Sequence, residues 1–415
     1  MTAGIEADQL TKLRRLLAAL SGANPFYSGK LRGIDPNVPS LDWYFQRVPF
    51  TLKRELVDDQ RAHAPFGSNL TYPLERYTRF SQTNGTTGTP LRWVDTPDSW
   101  DWMVGNWTRV FQAAGVTAGD RIFFAFSFGP FLGFWVAFDA ASRMGAMCIP
   151  GGGMRSEARL HAILDNQATV VCCTPTYAIR LGETAIEEHI DLSPAKVRKI
   201  IVAGEPGGSV RSTQARIEEL WRGAHVVDHH GMTEVGPVSY GCPKRERVLH
   251  IIESSYIAEV IDPVNGQAAD HGELVLTNLG RTGSPLLRYR TGDIVQRSGP
   301  GQCECGSWDL ALEGGILART DDMVVVRGVN LYPSAIEDIL RGCDGVSEYR
   351  VEIRTNRALS ELTIQVEPAD DNDASLIHRL ESALRNATSL RVPVSTVPRG
   401  TLPRFEMKAQ RWIRL

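Results

Sequence analysis

The sequence predicts an α/β protein: a large N-terminal domain of parallel βαβ sheets, a small β-barrel-like subdomain attached to it, and a small mobile α+β domain at the C-terminus. Three observations predict this. Short continuous apolar runs alternate with helical patterns through the first two-thirds of the chain, as parallel strands covered on both faces require. From His250 the pattern changes to short alternating strands separated by turn residues. Beyond Thr320–Asp322, strand, turn, helix and strand patterns recur on a compact scale. At 415 residues the chain also exceeds the size at which one core keeps growing, so two domains, 1–320 and 321–415, are expected.

Taken in order, the elements follow from local pattern. Thr11 to Leu20 reads as an amphipathic surface helix. Ser99 to Val116 is helical, Arg121 to Phe128 is a buried strand, and Gly133 to Ala146 is helical again. Ala146 to Gly152 is a strand entering a glycine turn, followed by a helix over Arg155 to Gln167 and strands at Ala168–Pro175 and Val197–Gly204. SYIAEVIDPVNG and GELVLTNLG supply the later antiparallel strands. MVVVRGVN, SAIEDILRGC, YRVEIR and ELTIQVE describe the C-terminal unit.

Composition narrows the class. A net charge of −3 gives no basic field for nucleic acid or an anionic membrane. No apolar run is long enough to span a bilayer, and the N-terminus lacks a charged-then-apolar signal pattern, so a cytoplasmic protein is expected. Seven cysteines in such a chain read as thiols or metal ligands. Cys148, Cys172, Cys173 and Cys343 lie in apolar or helical runs and read as small core residues.

The most informative stretch is SQTNGTTGTP, Ser81 to Pro90. Glycine lets the backbone come close to a ligand, so that successive N–H groups converge on an anion, and threonine hydroxyls add uncharged donors. No Gly-Lys-Ser/Thr follows, so this is not the usual P-loop. The other reading is a polar surface loop. Four further segments follow in order: GMTEVGP (Gly231 to Pro237), YRTGD (Tyr289 to Asp293), ARTDDMVVVRGVNLYPSAIED (Ala318 to Asp338) and LPRFEMKAQR (Leu402 to Arg411). In that order and spacing the chain resembles the adenylate-forming superfamily of acyl-CoA synthetases, peptide-synthetase adenylation domains and luciferases. Its RTDD-M-x-x-x-RGVN-x-x-P wording is similar to the phenylacetate–CoA ligase branch.

The resemblance implies ATP-dependent activation of a carboxylic acid as acyl-AMP with loss of pyrophosphate, then acyl transfer. Both reactants are anionic, so cations and donors must be aimed at the phosphates. It implies that Thr83, Asn84, Gly85, Thr86, Thr87 and Gly88 hold the β- and γ-phosphates. Asn84 and Thr89 depart from the usual serine or glycine and lysine, which removes one cation. Thr233 would donate to the α-phosphate and Glu234 would ligate Mg²⁺. Glu205 and Pro206, in AGEPG after a strand, are expected beside adenine, with His230, Gly231 and Met232. Asp293 would accept from the ribose hydroxyls, with Arg319 as a second ribose or phosphate contact. Lys408 matches the catalytic lysine that bridges carboxylate and α-phosphate, preceded here by Met407 where the family has glycine. Asp321 matches the hinge about which the small domain swings.

Cys242, His250, Cys303 and Cys305 supply a Cys₃His set suited to tetrahedral zinc, and relatives in that branch carry a structural zinc here. The other reading is four unlinked reduced residues. The acid pocket is expected between the end of the Arg121–Phe128 strand, Gly204 and the GMTEVGP turn. Phe126, Ser127, Phe131, His229, Met232, Gly236 and Pro237 are its candidates. The branch implies an aromatic acid, with hydroxy- or aminobenzoate among the options, coenzyme A as acceptor, and a homodimer. Coenzyme A would use the small domain near Arg327 and Gly328. Two alternatives stand beside this: transfer to a carrier-protein thiol, an amine or a hydroxyl, and a non-catalytic nucleotide-binding paralogue.

Overall fold

The structure is a computed structural model, and it describes the chain except residues 1, 84–89, 321–323, 327–328, 357–358, 371–372, 389 and 406–409. It opens with α1 (Thr2–Leu20), α2 (Pro25–Lys30), α3 (Leu41–Arg47) and α4 (Lys53–Ala62). Leu13, Leu16, Leu17 and Leu20 of α1 share one face and are buried in a cluster with Tyr27, Tyr44, Ile257 and Leu287. That stripe seals the N-terminal helices onto strands from far along the chain. The antiparallel pair of β1 (Arg79–Gln82) and β2 (Arg92–Asp95) follows, the glycine–threonine run falling between them in sequence.

Next come α5 (Pro97–Ala113), β3 (Arg121–Phe124), α6 (Leu132–Arg143), β4 (Met147–Pro150), α7 (Ser156–Asp165), β5 (Val170–Cys173), α8 (Pro175–Glu187), β6 (Lys199–Val202), α9 (Arg211–Leu220) and β7 (His225–Asp228). Thr96 and Thr174 cap α5 and α8, their hydroxyls accepting from Ser99 and Tyr177 N–H, with proline at the first helical turn of each. The strands form one parallel sheet in the order β4-β3-β5-β6-β7. The connection direction reverses between β3 and β5, which opens a crevice at the strands' carboxyl ends. The sequence reading expected several parallel sheets. Among the described residues there is one wholly parallel sheet, because the strands that follow β7, as far as Arg319, pair antiparallel through connections without helices, and the C-terminal sheet mixes parallel and antiparallel pairs.

Those later strands are β8 (Gly231–Met232), β9 (Gly236–Pro237), β10 (Ser239–Gly241), β11 (Val248–Ile251), β12 (Tyr256–Ile261), β13 (His271–Asn278), β14 (Tyr289–Gln296), β15 (Ala311–Glu313) and β16 (Ala318–Arg319). β8 and β9 make a short hairpin, while β10-β11-β15 and β12-β13-β14-β16 form two antiparallel sheets. A bridge between Arg297 and Leu312 joins the two sheets into the barrel-like unit.

The C-terminal unit contains β17 (Val324–Val326), β18 (Val329–Leu331), α10 (Pro333–Gly342), β19 (Val346–Asn356), β20 (Leu359–Pro368), α11 (Leu376–Thr388), β21 (Val394–Thr396) and β22 (Trp412–Arg414). It has its own core, in which Ile336, Leu340, Leu380 and Leu384 pack on Val351, Ile364 and Val366. It rests on α8 and α9, where Ser212 Oγ donates to Asp338 Oδ1 at 2.8 Å and Arg411 Nη1 reaches Thr176 Oγ1 at 3.4 Å. Among the described residues no helix is long and apolar enough to cross a membrane.

Candidate active site

Three chain segments leave the carboxyl ends of β3, β6 and β7 on the same edge of the sheet. After β3 the backbone departs from the ladder sooner than the apolar run implies. The run continues because its rings pack on one another: Phe126 lies 4.4 Å from Phe128 and 4.3 Å from Phe134, centroid to centroid. Phe128 has φ of 53°, a left-handed conformation that costs a bulky residue about 1–3 kcal/mol and turns its ring back onto Trp135 and Phe138. Ser127 is exposed, and Phe131 packs against Gly129 outside this row.

After β6 the AGEPG loop turns through Gly204 and Gly207, both at positive φ. Gly208 is obligatory, since a Cβ there would stand 2.1 Å from Asp228 Oδ1. Ser209 Oγ donates to Asp228 Oδ2 at 2.5 Å and ties the loop to the end of β7. Burial pushes the Asp228 carboxyl up from its ordinary value. The Glu205 carboxylate is turned to α8, accepting from Thr176 N–H at 2.8 Å, so its side chain caps a helix. Pro206 beside it is partly exposed.

After β7 the two histidines diverge. His229 is buried, its Nδ1 2.6 Å from the Ser239 carbonyl and its ring 4.2 Å from Trp107. Burial pushes its pKa down to about 3, so the ring is neutral. His230 turns the other way, its Nε2 2.9 Å from Asp293 Oδ2. Asp293 Oδ1 also accepts from Arg319 Nη1 at 2.5 Å, across the β14–β16 register. Burial works against the charged carboxylate, but the neighbouring His230 and Arg319 outweigh it and hold Asp293 below its ordinary value. Gly231 and Met232 run along β8 to the tip at Thr233 and Glu234. Gly236 and Pro237 lie on the buried return strand, facing Met103 and Tyr256.

The tip is fastened by residues that the sequence reading did not single out. Arg281, fully buried, donates from Nε and Nη2 to both Asp95 oxygens at 2.6 Å. Its Nη1 donates to the carbonyls of Thr233 and Glu234 at 2.7 and 3.0 Å. One guanidinium thus ties the end of β2, where Asp95 pairs with Arg79 at the end of the β1–β2 pair remote from the glycine–threonine segment, to the turn carrying Glu234. At the opposite end of that strand pair the Thr83 amide donates to the Leu91 carbonyl at 2.9 Å, and Thr83 Oγ1 accepts from the Leu91 amide at 3.0 Å. Glu234 is buried, with Lys53 Nζ from α4 3.3 Å from its Oε1. No motif flags Lys53, Asp95 or Arg281, because a lone charge is ordinarily a solvated one.

The expected Cys₃His set is brought together, with the ligand atoms of Cys242, His250, Cys303 and Cys305 all within 4.8 Å of one another. Cys242 Sγ is 3.7 Å from Cys303 Sγ, and Cys305 Sγ is 3.4 Å from His250 Nε2. Tetrahedral zinc with sulfur at about 2.3 Å has sulfur–sulfur edges of about 3.8 Å, so the donor set fits that ion. His250 Nδ1 is held by the Asp309 carbonyl at 3.0 Å, which leaves Nε2 as the ligating atom. Cys172 and Cys173 are buried core residues, while Cys148 and Cys343 are half-buried. Asn84 to Thr89, Asp321, Arg327, Gly328, Met407 and Lys408 lie outside the described residues.

Comparison with known proteins agrees in extent with these observations. Residues 82–277 match the family described as AMP-binding enzyme, and residues 328–414 match AMP-binding enzyme C-terminal domain. The chain is 29% identical over 429 residues to phenylacetate-coenzyme A ligase of Thermus thermophilus, covering 97% of this chain and 94% of that protein. Among solved structures, 2-hydroxyisobutyryl-CoA ligase in the postadenylation state with 2-HIB-AMP has a TM-score of 0.92 at 28% identity, covering 99% of this chain and 89% of the other. The same ligase in the thioesterification state, with 2-HIB-AMP and CoA, has a TM-score of 0.75 at 29% identity, covering 100% of this chain and 90% of the other.

Proposed function

The chain belongs to the adenylate-forming superfamily of AMP-binding enzymes, and from that premise we propose that it activates an aromatic carboxylic acid with ATP and passes the acyl group to coenzyme A. The acid's carboxylate attacks the α-phosphorus, the bond to the β-phosphate oxygen breaks, and pyrophosphate leaves. The thiol then attacks the acyl carbonyl and AMP leaves. One observation supports this reading above the others. The contacts Asp95–Arg281–Thr233/Glu234 and His230–Asp293–Arg319, adjoining through the backbone of β8, bring the segments bearing Thr233, Glu234, Asp293 and Arg319 together beside the crevice at the sheet's carboxyl edge.

Within that cleft the glycine–threonine loop would hold the terminal phosphates and Thr233 the α-phosphate. Asp293 would accept from the ribose hydroxyls, and Arg319 would keep it ionised. Glu234 would hold Mg²⁺, which supplies positive charge to the phosphate oxygens when bound. Lys53, already beside Glu234, adds a cation to a site that lacks the one Thr89 replaces in the sequence. The aromatic row from Phe128 through Phe126 and Phe134 to Trp107 favours a flat, apolar acid body. We also assign the Cys₃His cluster to structural zinc, since a closed four-ligand set leaves no open position for catalysis. Residues 1–320 would then form the nucleotide and acid site, and residues 321–415 would carry Lys408 into it about Asp321.

The test is acid-dependent exchange of labelled pyrophosphate into ATP across aromatic and aliphatic acids, with coenzyme A conjugates followed by mass spectrometry. Aromatic acids are expected to exchange best. Lys408→Ala is expected to lose exchange by about 10²-fold or more while ATP still binds. Best turnover of aliphatic acids, or no exchange with any acid, would reject the reading.

A further inference from the structure

We infer that the acid carries its own hydrogen-bond donor, a hydroxyl or amine, and that His229 Nε2 is the fixed acceptor selecting for it. The inference rests on the proposed reading of this cleft as an acid-activating site, and deepens it from an aromatic acid to a donor-bearing one.

The ring's state is set by its surroundings. Nδ1 lies 2.6 Å from the Ser239 carbonyl, which only accepts, so Nδ1 carries the proton. That leaves Nε2 with a lone pair. Burial keeps the ring neutral through the working pH range, so this atom remains an acceptor throughout. With its pKa near 3 the imidazole is also a poor proton acceptor, which disfavours general-base chemistry on the incoming thiol. Trp107, 4.2 Å away, fixes the plane of the ring.

Its position completes the argument. Nε2 faces β8, where a Cβ on Gly231 would stand 3.3 Å away. Among the described residues the ring's own side-chain hydrogen bond is the one at Nδ1, so Nε2 receives no donor from the protein there. Trp107 also continues the aromatic row, 6.3 Å from Phe134, and Met232 packs on the same cluster. A flat acid lying along that row toward the Thr233–Glu234 tip meets apolar rings and, at His229 Nε2, a side-chain atom that accepts. A buried acceptor left unpaired costs about 1–3 kcal/mol, which is the source of discrimination against acids lacking the donor.

The test compares exchange kcat/KM for benzoates and phenylacetates bearing hydrogen, hydroxyl, amino or methoxy at each ring position. A methyl ether resembles the phenol in electronics but donates nothing. At one position the hydroxy or amino acid is expected to exceed both the methoxy and the unsubstituted acid by about 10- to 100-fold. His229→Phe should bring that ratio, taken between acids within the one variant, to about one, and His229→Gln, whose amide oxygen still accepts, should restore part of it. Equal values for phenol and ether at every position overturn the inference by wild-type measurement alone, even if the phenylalanine variant does not fold. So does a preference that survives in His229→Phe. Exchange with aromatic acids but no donor preference leaves the proposed function standing, whereas no exchange with any acid removes both.

Discussion

At the scale of single residues, the decisive arrangement is one that short motifs do not announce. Arg281 and Asp95 form a fully buried ion pair, and Arg281 also satisfies two carbonyls of the turn bearing Glu234. Removing one partner of a buried pair leaves the other charge in a low-dielectric interior, at a cost of about 3–5 kcal/mol. Arg281→Met is therefore expected to destabilise the protein by that amount in denaturant titration, and Asp95→Leu added to it should recover part of the loss. A single-variant effect below about 1 kcal/mol would contradict the assignment. The motif residues themselves were legible because contiguous Gly/Thr, Thr-Glu and Gly-Asp runs have few other uses. Arg281, Asp95 and Lys53 were not, because their meaning comes from partners distant in sequence. The Glu205 side chain is a similar case: its place in the turn after β6 was readable, but its use as a cap on α8 was not.

Among the elements, apolar patterning located most of the parallel strands but overran the end of β3. Phe126 and Phe128 look like strand residues because they are apolar, yet they pack on each other and on α6 beyond the ladder. α8, α9 and β7 went unassigned, since their patterns merge with the loops between them. In the barrel-like unit, Glu253 joins elements: its Oε2 accepts from Leu310 N–H at 2.8 Å on the approach to β15, and its carbonyl accepts from Gln9 of α1. Burial raises this carboxyl to about 7, with Asp309 adding to the shift against the hydrogen bond from Leu310. A carboxyl raised in the folded state favours folding while it is protonated. Its contribution is therefore complete below the ordinary glutamate value and is lost as pH rises through about 7. Glu253→Gln should flatten the fall in stability over that window. An unchanged slope in unfolding free energy against pH would count against this account.

For the whole molecule, the zinc-type cluster and the seating of the small domain govern behaviour. The cluster joins β10 and β11 to the loop after β14, so it ties the two antiparallel sheets together. Purified protein is expected to hold about one zinc per chain, the count a single closed four-ligand site takes. Chelation or Cys303→Ser should release it and lower the unfolding temperature by several degrees, whereas metal-free protein of full stability would exclude the site. Overall placement of the parts is closer to the postadenylation arrangement of the solved ligase than to its thioesterification arrangement. Contacts of Asp338 and Arg411 with α9 and α8 hold it there.

The sequence alone determined the α/β class, the order of the parts, the superfamily and the Cys₃His grouping. These depend on local periodicity and on contiguous or characteristically spaced residues, which a linear chain displays directly. Tertiary structure decided which way each side chain turns: His229 to a carbonyl and Trp107, His230 to Asp293, Glu205 to a helix end, and Arg281 between the end of β2 and a turn. Such choices are made by burial and by partners 10 to 186 residues apart, because a buried polar atom takes whichever partner packing brings within reach.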